Sequence, residues 1–283
     1  MVINKIMLLK QNKKIYPNIL ILDSGVGGLS IFSEVIKILP NANYIYVFDN
    51  EAFPYGEKSR IFIIDRVVNI VYAIYKMYTL NIIIIACNTA SILTLSILRR
   101  YFLCPIIGVV PAIKLATKLT RSGMIGLLAT TVTLQSNYIQ NLICKFATCY
   151  NIIPISAPEL VILAEAKLHG EKISLLMIEQ ILLLWLKTVN ILNIDTIILG
   201  CTHFPLLREE LQMILPNHIQ LIDSHKAIAQ QVLYLVKQSI NYSNYSIIPI
   251  PNKTYYLAKN DKISSLIPHL NKCGFYHIQH LLL

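Results

Sequence analysis

The chain has 283 residues, of which 55 % are hydrophobic and 14 % are charged, and its net charge is +10. This composition excludes a disordered chain and supplies enough apolar side chains for two compact domains. The basic residues are scattered and form no stripe with interleaved aromatic residues, so nucleic-acid binding is not predicted.

Short β-branched runs alternate along the chain with longer stretches of helical spacing. Strands are predicted at Ile19–Leu22, Tyr44–Phe48, Ile82–Ala86, Ile106–Val109, Met124–Leu128 and Thr196–Leu199. Helices are predicted at Leu29–Leu39, Ser59–Tyr78, Ser91–Tyr101 and Thr133–Cys149. This alternation predicts an α/β fold with mainly parallel sheets flanked by helices.

No membrane or export segment is predicted. The most apolar long stretch, Ile173 to Leu186, contains Glu179 and Gln180 and is shorter than the roughly 20 residues that a spanning helix needs. Residues 1–14 lack the apolar segment and the cleavage site of a signal peptide. We therefore expect a cytoplasmic protein whose six cysteines stay reduced.

Two segments of the chain resemble each other. Each has an apolar strand, a small residue, a cysteine and two polar residues, in 82–89 and again in 196–203. The repeat predicts two pseudo-symmetric α/β domains, each presenting one cysteine to a shared cleft. We assign 16–112 with 222–283 to the first domain, 113–221 to the second, and 1–15 to an N-terminal extension.

Four predicted strands end in small polar turns, and ligands of parallel sheets bind at that end of the strands. The first turn contains Gly25, Gly27 and Gly28, but Ser30 replaces the third glycine of the dinucleotide-binding motif. These glycines are interpreted as allowing a tight turn and the close approach of a ligand. The four turns are Asp23–Gly28, Ala86–Ser91, Ala129–Thr133 and Gly200–His203.

Cys87 and Cys201 are the residues whose pattern points to chemistry. A cysteine between a strand and a helix lies at the helix N-terminus, where backbone N–H groups stabilise a thiolate. Two such cysteines facing each other place one base on each side of a stereocentre. Such a pair would racemise the stereocentre, with thiolate and thiol exchanging roles at each turnover. The other cysteines are interpreted as packing residues: 104, 144, 149 and 273.

Several neighbouring residues allow alternatives. Asp23 either holds a substrate ammonium group, assists the nearby cysteine, or caps its own turn. His203 either stabilises charge or assists proton transfer, and a hydrolase that uses Cys201 with His203 stays open although it leaves Cys87 unexplained. A zinc site lacks further ligands at suitable spacing, so no metal is predicted. Tyr55, next to Gly56, either belongs to a simple turn or closes the cleft.

Four blocks of the chain are similar to the glutamate racemases of the aspartate/glutamate racemase superfamily. Weaker similarity is found at Gly108–Lys114 and Ile222–Ser224, and together the matches cover the chain from about Ile19 to Ser224. The resemblance implies two pseudo-symmetric α/β domains with glutamate buried between them, no pyridoxal phosphate or other cofactor, and no metal. The matching blocks are Asp23–Leu29, Phe53–Lys58, Ala86–Ser91 and Leu199–Leu207.

The resemblance also assigns roles. Cys87 and Cys201 become the acid/base pair, and Asp23, His203 and Glu165 become residues that assist them. Val132 departs from the family pattern, which often has glycine at that place, so either the turn needs no left-handed conformation or its geometry is altered. The substrate-binding positions implied are Asp23, Ser24, Tyr55, Gly56, Asn88, Thr89, Thr130, Thr202 and His203.

The segment Glu159 to Glu171 and the N-terminal extension resemble the subgroup from Gram-negative enteric bacteria. That subgroup implies activation by UDP-MurNAc-alanine and, for some members, inhibition of DNA gyrase. The glutamate racemase hypothesis also implies a supply of D-glutamate for peptidoglycan, and a homodimer is considered as a further partner. Two further alternatives stay open. One is an aspartate racemase of the same superfamily, and the other is a regulatory protein that binds gyrase without catalysis.

Overall fold

The computed structural model describes residues 16–188, 193–238 and 251–283. The predicted extension 1–15 and part of the segment after Asn241 lie outside these residues. The first sheet has six parallel strands in the order β10-β9-β2-β1-β3-β4. Its strands are β1 (Asn18–Asp23), β2 (Asn43–Phe48), β3 (Ile82–Ile85), β4 (Ile106–Gly108), β9 (Lys253–Tyr256) and β10 (His277–His280).

The second sheet has four parallel strands in the order β6-β5-β7-β8. It repeats the order of β2-β1-β3-β4 in the first sheet, so β5 corresponds to β1 and β7 to β3. Both sheets with their helices confirm the predicted α/β class. The strands are β5 (Met124–Ala129), β6 (Asn151–Ser156), β7 (Thr196–Leu199) and β8 (Gln220–Ile222).

Eleven helices are seen in the described residues, with 3₁₀ turns at Tyr55–Glu57 and Phe204–Leu207. None of the helices in these parts of the chain is long and apolar enough to cross a bilayer. The helices are α1 (Leu29–Ile38), α2 (Arg60–Met77), α3 (Asn88–Tyr101), α4 (Ile113–Leu119), α5 (Thr131–Leu134), α6 (Asn137–Phe146), α7 (Glu159–Leu168), α8 (Leu175–Thr188), α9 (Arg208–Ile214), α10 (His225–Gln238) and α11 (Lys262–Lys272).

Both faces of the first sheet are buried, which explains its uniformly apolar central strands. Alternate residues of β1 point to opposite faces, so Leu20 packs with α2 and α3 while Ile21 packs with α1 and α10. The second sheet is covered in the same way by α7 and α8 on one face and by α4 and α6 on the other. Side chains of the core are thus supplied by helices on both sides of each sheet.

The chain passes between the two sheets after β4 and again after β8. The first passage contains Pro111 and precedes α4, while the second contains Asp223 and precedes α10, which packs against α1 of the first sheet. Strands β9 and β10 extend that first sheet. The domain limits given above stay a prediction, and this connectivity is compatible with them.

Strands β8, β9 and β10 were not predicted from the sequence. Three further differences from the sequence-based expectation have a local physical reason. The helix predicted at Thr133–Cys149 is two helices, because Ser136 caps α6 by accepting a hydrogen bond from the Ile139 amide at 3.3 Å. The helix predicted from Ser91 begins at Asn88, because Cys87 is its N-cap. Strand β6 was not predicted, because it contains Pro154, which is tolerated only at a sheet edge such as this one.

Candidate active site

Cys87 follows β3 and is the N-cap of the long helix α3. Its Sγ accepts a hydrogen bond from the Ala90 amide at 3.5 Å. The side chain is buried, and this burial, with a smaller contribution from the charge of Asp23, raises the pKa of Cys87 to about 12. Cys87 is therefore a thiol at neutral pH, and the predicted position at a helix N-terminus is confirmed for this cysteine.

Cys201 follows β7, the strand that corresponds to β3, but its surroundings differ. It is half-buried, and a turn followed by the 3₁₀ segment Phe204–Leu207 takes the place of a long helix. The prediction that both cysteines lie at helix N-termini is therefore wrong for Cys201. Its Sγ instead lies 3.8 Å from Nδ1 of His203.

His203 connects Cys201 to a carboxylate. Its Nε2 lies 2.7 Å from Oε1 of Glu165, which extends from α7. Burial lowers the pKa of His203, but the hydrogen bonds to Cys201 and Glu165 outweigh this effect and raise the pKa well above its usual value. The imidazole ring of His203 thus lies between the Cys201 sulfur and the Glu165 carboxylate.

The glycines of the first turn make room for this pair. A Cβ on Gly27 would lie 2.6 Å from Nδ1 of His203, and one on Gly25 would lie 2.0 Å from Oε1 of Glu165. The same Glu165 oxygen accepts a hydrogen bond from the Val26 amide at 2.7 Å. Neither glycine has a positive φ angle, so steric space is what requires them. Two side chains from the other lobe, the second sheet with its helices, thus approach this turn closely, and the expected close approach of a ligand stays a prediction.

Asp23 is the last residue of β1, and its carboxylate stabilises the turn that follows. It accepts hydrogen bonds from the amides of Ser24 at 2.8 Å and Gly28 at 2.6 Å. The Thr202 hydroxyl reaches the same carboxylate from the second lobe at 3.5 Å. Burial raises the pKa of Asp23, and the charge of Asp23 contributes in turn to the raised pKa of Cys87. The capping alternative is thus observed, and a role toward substrate stays a prediction.

Buried hydroxyl groups from both lobes meet beside Cys87. The Thr89 hydroxyl of α3 lies 3.3 Å from that of Thr130 and 3.4 Å from that of Thr133. Val132 lies inside α5, and among the described residues only glycines have a positive φ. The turn after β5 therefore needs no left-handed residue, which is the first of the two alternatives considered for Val132. Asn88 and Ser24 are also buried here.

Tyr55 is held by a buried ionic group that sequence reasoning missed. Its hydroxyl donates to Asp49 at 2.8 Å, and Arg66 donates two hydrogen bonds to the same carboxylate. Burial, together with the charge of Asp49, raises the pKa of Tyr55 well above its usual value. Gly56, next in the chain, lies against Thr130 of the second lobe. Asp49 follows β2 directly, so the rule that polar residues at strand ends form sites could have identified it.

The structure thus brings Cys87, Cys201, Asp23, His203 and Glu165 close together, with contributions from both sheets. Nothing in the described parts of the chain groups three or more His, Cys, Asp or Glu side chains as potential metal ligands. The arrangement offers two sulfurs with different neighbours, surrounded by neutral hydroxyl and amide groups. Such a site is suited to moving a proton at a small polar substrate.

Two like sheets, each with a cysteine directly beyond the corresponding strand β3 or β7, are compatible with a class of racemases that act on amino acids and related compounds. A sequence profile of that class, described as Asp/Glu/Hydantoin racemase, matches residues 27–232, and the chain belongs to this family. Within the family it is similar to glutamate racemases. The protein of that name from Sodalis glossinidius is 50 % identical over 259 residues, which cover 92 % of this chain and 89 % of the relative.

Further relatives support the same grouping. The glutamate racemase of Photorhabdus laumondii is 50 % identical over 271 residues, covering 96 % of this chain and 93 % of the relative. Among solved structures, Escherichia coli glutamate racemase in complex with L-glutamate and the activator UDP-MurNAc-ala is 45 % identical with a TM-score of 0.88. That match covers 94 % of this chain and 98 % of the other. A Bacillus anthracis glutamate racemase is 30 % identical with a TM-score of 0.78, covering 96 % of this chain and 98 % of the other.

Proposed function

We propose that the protein is a glutamate racemase that interconverts L- and D-glutamate and supplies D-glutamate for peptidoglycan. The observation that supports this most is the placement of Cys87 and Cys201 after corresponding strands of two like sheets, at one cleft. The relatives described above are named glutamate racemases, and we propose glutamate as the substrate of this protein on that ground.

In the proposed reaction the Cys201 thiolate removes the α-proton of one enantiomer while the Cys87 thiol donates a proton to the opposite face. The products are the other enantiomer, a Cys201 thiol and a Cys87 thiolate, so atoms and charge balance. The reverse reaction begins from this second state. His203 stabilises charge at Cys201, and Asp23 lies beside Cys87 and Thr202. No cofactor or metal takes part in these steps.

The proposed substrate contacts come from the ends of four strands. Amides at the N-terminus of α3, at Asn88 and Thr89, suit the α-carboxylate. Asp23 is the anionic group suited to the ammonium, and His203 is a cationic contact. The remaining contacts are neutral donors and acceptors, namely Ser24, Tyr55, Gly56, Thr130 and Thr202.

The test follows pure L-glutamate by circular dichroism in D₂O, with purified protein and with or without UDP-MurNAc-alanine. We expect the signal to decay to zero and deuterium to appear at Cα. Persistent optical activity without deuterium in both conditions would refute the proposal. The same assay with L-aspartate separates the related aspartate racemase activity, because cleft volume decides which side chain fits.

One observation favours a second candidate function. Cys201, His203 and Glu165 form a connected cysteine, histidine and carboxylate, which is the arrangement of a cysteine hydrolase. A hydrolase would show a burst of acylation with ester substrates and would not need Cys87. We expect no burst and a strict need for Cys87.

We also propose that UDP-MurNAc-alanine activates this protein, because the similar E. coli enzyme was solved with UDP-MurNAc-ala as its activator. A cavity of about 360 Å³ lies at the passage between the lobes, and its walls include Lys114, Lys118 and Phe146. Positive charge beside an apolar wall suits a nucleotide diphosphate. We expect the activator to raise kcat/KM, and Lys114→Ala with Lys118→Ala to weaken this effect. Unchanged kinetics with activator would contradict the proposal.

A further inference from the structure

A fully buried carboxylate, that of Asp49, lies directly after β2 and accepts four hydrogen bonds. Arg66 donates to one oxygen from Nε and to the other from a terminal nitrogen, both at 2.8 Å. The Tyr55 hydroxyl donates at 2.8 Å and the Ala52 amide at 3.2 Å. A guanidinium that binds both oxygens fixes the plane of the carboxylate, and the carboxylate in turn fixes the Tyr55 hydroxyl.

These bonds join separate segments of the first lobe. Asp49 follows β2, Tyr55 begins the 3₁₀ turn Tyr55–Glu57, and Arg66 lies in the second turn of α2. The Asp49 amide also donates to the Asp23 carbonyl at the end of β1, at 3.0 Å. A single residue therefore connects the turn that carries Tyr55 to the strand that ends in Asp23.

The turn held in this way lies beside groups that are proposed to bind substrate. Tyr55 is buried and packs in the same apolar cluster as Cys87, and the turn contacts α3 and α5. Gly56 lies against the second lobe, because a Cβ on it would be 3.6 Å from the Cβ of Thr130. A displacement of this turn would therefore move groups next to Cys87 and next to Thr130 together.

Asp49 itself is not placed to react. Among the hydrogen bonds of the described residues, the sulfur of Cys87 pairs with the Ala90 amide and that of Cys201 with His203, and neither pairs with Asp49. Burial, together with the charge of Asp49, raises the pKa of Tyr55 well above its usual value, so its hydroxyl stays a neutral donor at neutral pH. The ionic group is thus a fixed support for the turn.

We propose that Asp49 and Arg66 position the Tyr55–Glu57 turn for substrate binding, so that the affinity for glutamate depends on this buried pair. The inference deepens the proposed racemase function and rests on it. Both are positioning residues, because they act through Tyr55. Without the pair, the turn adopts its binding arrangement for only a fraction of the time, and the apparent affinity falls by that fraction. Bound substrate restores the arrangement, so the rate at saturation is kept.

The test measures KM and kcat of Asp49→Asn with L- and D-glutamate. Asparagine keeps the size of the side chain, but its amide nitrogen cannot accept a bond from the guanidinium. We expect KM to rise about tenfold in both directions while kcat stays within about twofold. A role limited to the stability of the fold would lower the unfolding midpoint and leave KM unchanged.

A double-mutant cycle identifies the hydrogen bond that carries the effect. Tyr55→Phe removes only the hydroxyl and should raise KM about fivefold. Adding Tyr55→Phe to Asp49→Asn should raise KM no further, because both changes break the same hydrogen bond. If the two increases in KM multiply, Asp49 does not act through Tyr55, and the inference is overturned.

Tyr44→Phe is the matched control, because the buried Tyr44 of β2 also donates its hydroxyl, to the Leu39 carbonyl at 2.6 Å, but packs on the opposite face of the sheet. It should keep wild-type KM and kcat. If Asp49→Asn fails to fold by circular dichroism, Arg66→Lys replaces it, since lysine keeps the charge but cannot donate two parallel bonds.

Unchanged KM in the folded variant, or a loss confined to kcat, overturns the inference. If the wild type racemises neither enantiomer, the proposed function fails and the inference fails with it. An active wild type whose KM does not respond to Asp49→Asn is a different result, which overturns the inference alone.

Discussion

The two cysteine turns occupy corresponding places in like sheets, yet they are built differently. Cys87 caps a helix of 14 residues and is surrounded by buried neutral groups and the carboxylate of Asp23. Cys201 has no long helix behind it and is paired with His203 and, through it, with Glu165. One sulfur is thus held as a thiol by burial, and the other is placed beside an imidazolium.

This difference shows that topology places the two bases, whereas their protonation states depend on neighbours that the repeat does not share. A pair that must hold one thiol and one thiolate benefits from unequal surroundings in the resting state. Gly25 and Gly27 of the first lobe show the same dependence on neighbours. They leave space for the Glu165 carboxylate and the His203 imidazole, which lie beside Cys201 of the second lobe. Each lobe therefore completes the other's site.

The largest effect should come from removing either sulfur. Cys87→Ser and Cys201→Ser should each lower kcat about 10³-fold in both directions, because each serves as base in one direction and as acid in the other. The measurement is polarimetric racemisation at saturating glutamate, with the exposed Cys144→Ser as control. Near-wild-type activity in either variant would show that the reaction does not use two cysteines.

Much of this comparison was predictable from the sequence, and the missed parts have physical reasons. The strand runs and the repeated cysteine segment predicted the α/β class and the pairing of Cys87 with Cys201, because buried parallel strands are uniformly apolar. The sequence did not predict the absence of a long helix after Cys201. Phe204-Pro205-Leu206-Leu207 carries no local signal that distinguishes a 3₁₀ turn from the first turn of a longer helix.

The sequence also did not predict the contacts between residues that lie far apart along the chain. Glu165 entered only through the family resemblance, and its approach to Gly25 and Val26 across the cleft has no counterpart in local sequence. Asp49 and Arg66 were missed because an ion pair 17 positions apart becomes visible only when α2 packs beside β2. Local patterns predict elements, whereas the pairs that tune the site depend on tertiary packing.

The second prediction tests the unequal protonation directly. Iodoacetamide should alkylate Cys201 faster than Cys87 at pH 7, because burial raises the pKa of Cys87 to about 12, whereas Cys201 is only half-buried and its sulfur lies 3.8 Å from Nδ1 of His203. His203→Gln should slow alkylation of Cys201 about tenfold, leave Cys87 unchanged, and lower kcat about 100-fold. Peptide mass spectrometry measures both sites in one sample. Equal reactivity of the two cysteines in the wild type would remove the basis of the comparison.

A smaller effect is expected from Gly27→Ala. The new methyl group would lie within 2.6 Å of the His203 ring, so the ring must shift away from Cys201. We expect kcat to fall about tenfold, through His203 alone. In the His203→Gln background, the Gly27→Ala substitution should cause no further loss of kcat, because both changes act on the same imidazole ring. Additive losses in this double-mutant cycle would place the effect of Gly27 elsewhere.

The smallest effect concerns the opposite ends of the same strands, where the lobes also differ. Asn81 precedes β3 and accepts a hydrogen bond from the Asn18 amide at 2.8 Å. Asp195 holds the corresponding place before β7 and accepts bonds from the amides of Arg121 and Ser122 and the hydroxyl of Thr120. Partial burial raises the pKa of Asp195, but these bonds outweigh it and lower the pKa to about 2.

The contribution of Asp195 to stability should therefore depend on pH, whereas that of Asn81, whose amide does not titrate, should not. A folded pKa of about 2 lies below the ordinary 3.8, so ionised Asp195 stabilises the fold above pH 4, and this contribution is lost as pH falls from 4 toward 2. Asp195→Asn should lower the free energy of unfolding by about 1 kcal/mol at pH 7, since solvent screens a carboxylate this exposed. Urea unfolding at pH 7 and pH 3 should show this difference narrowing at the lower pH, whereas Asn81→Ala should give a pH-independent loss. A constant difference for Asp195→Asn would mean that its hydrogen bonds do not depend on its charge.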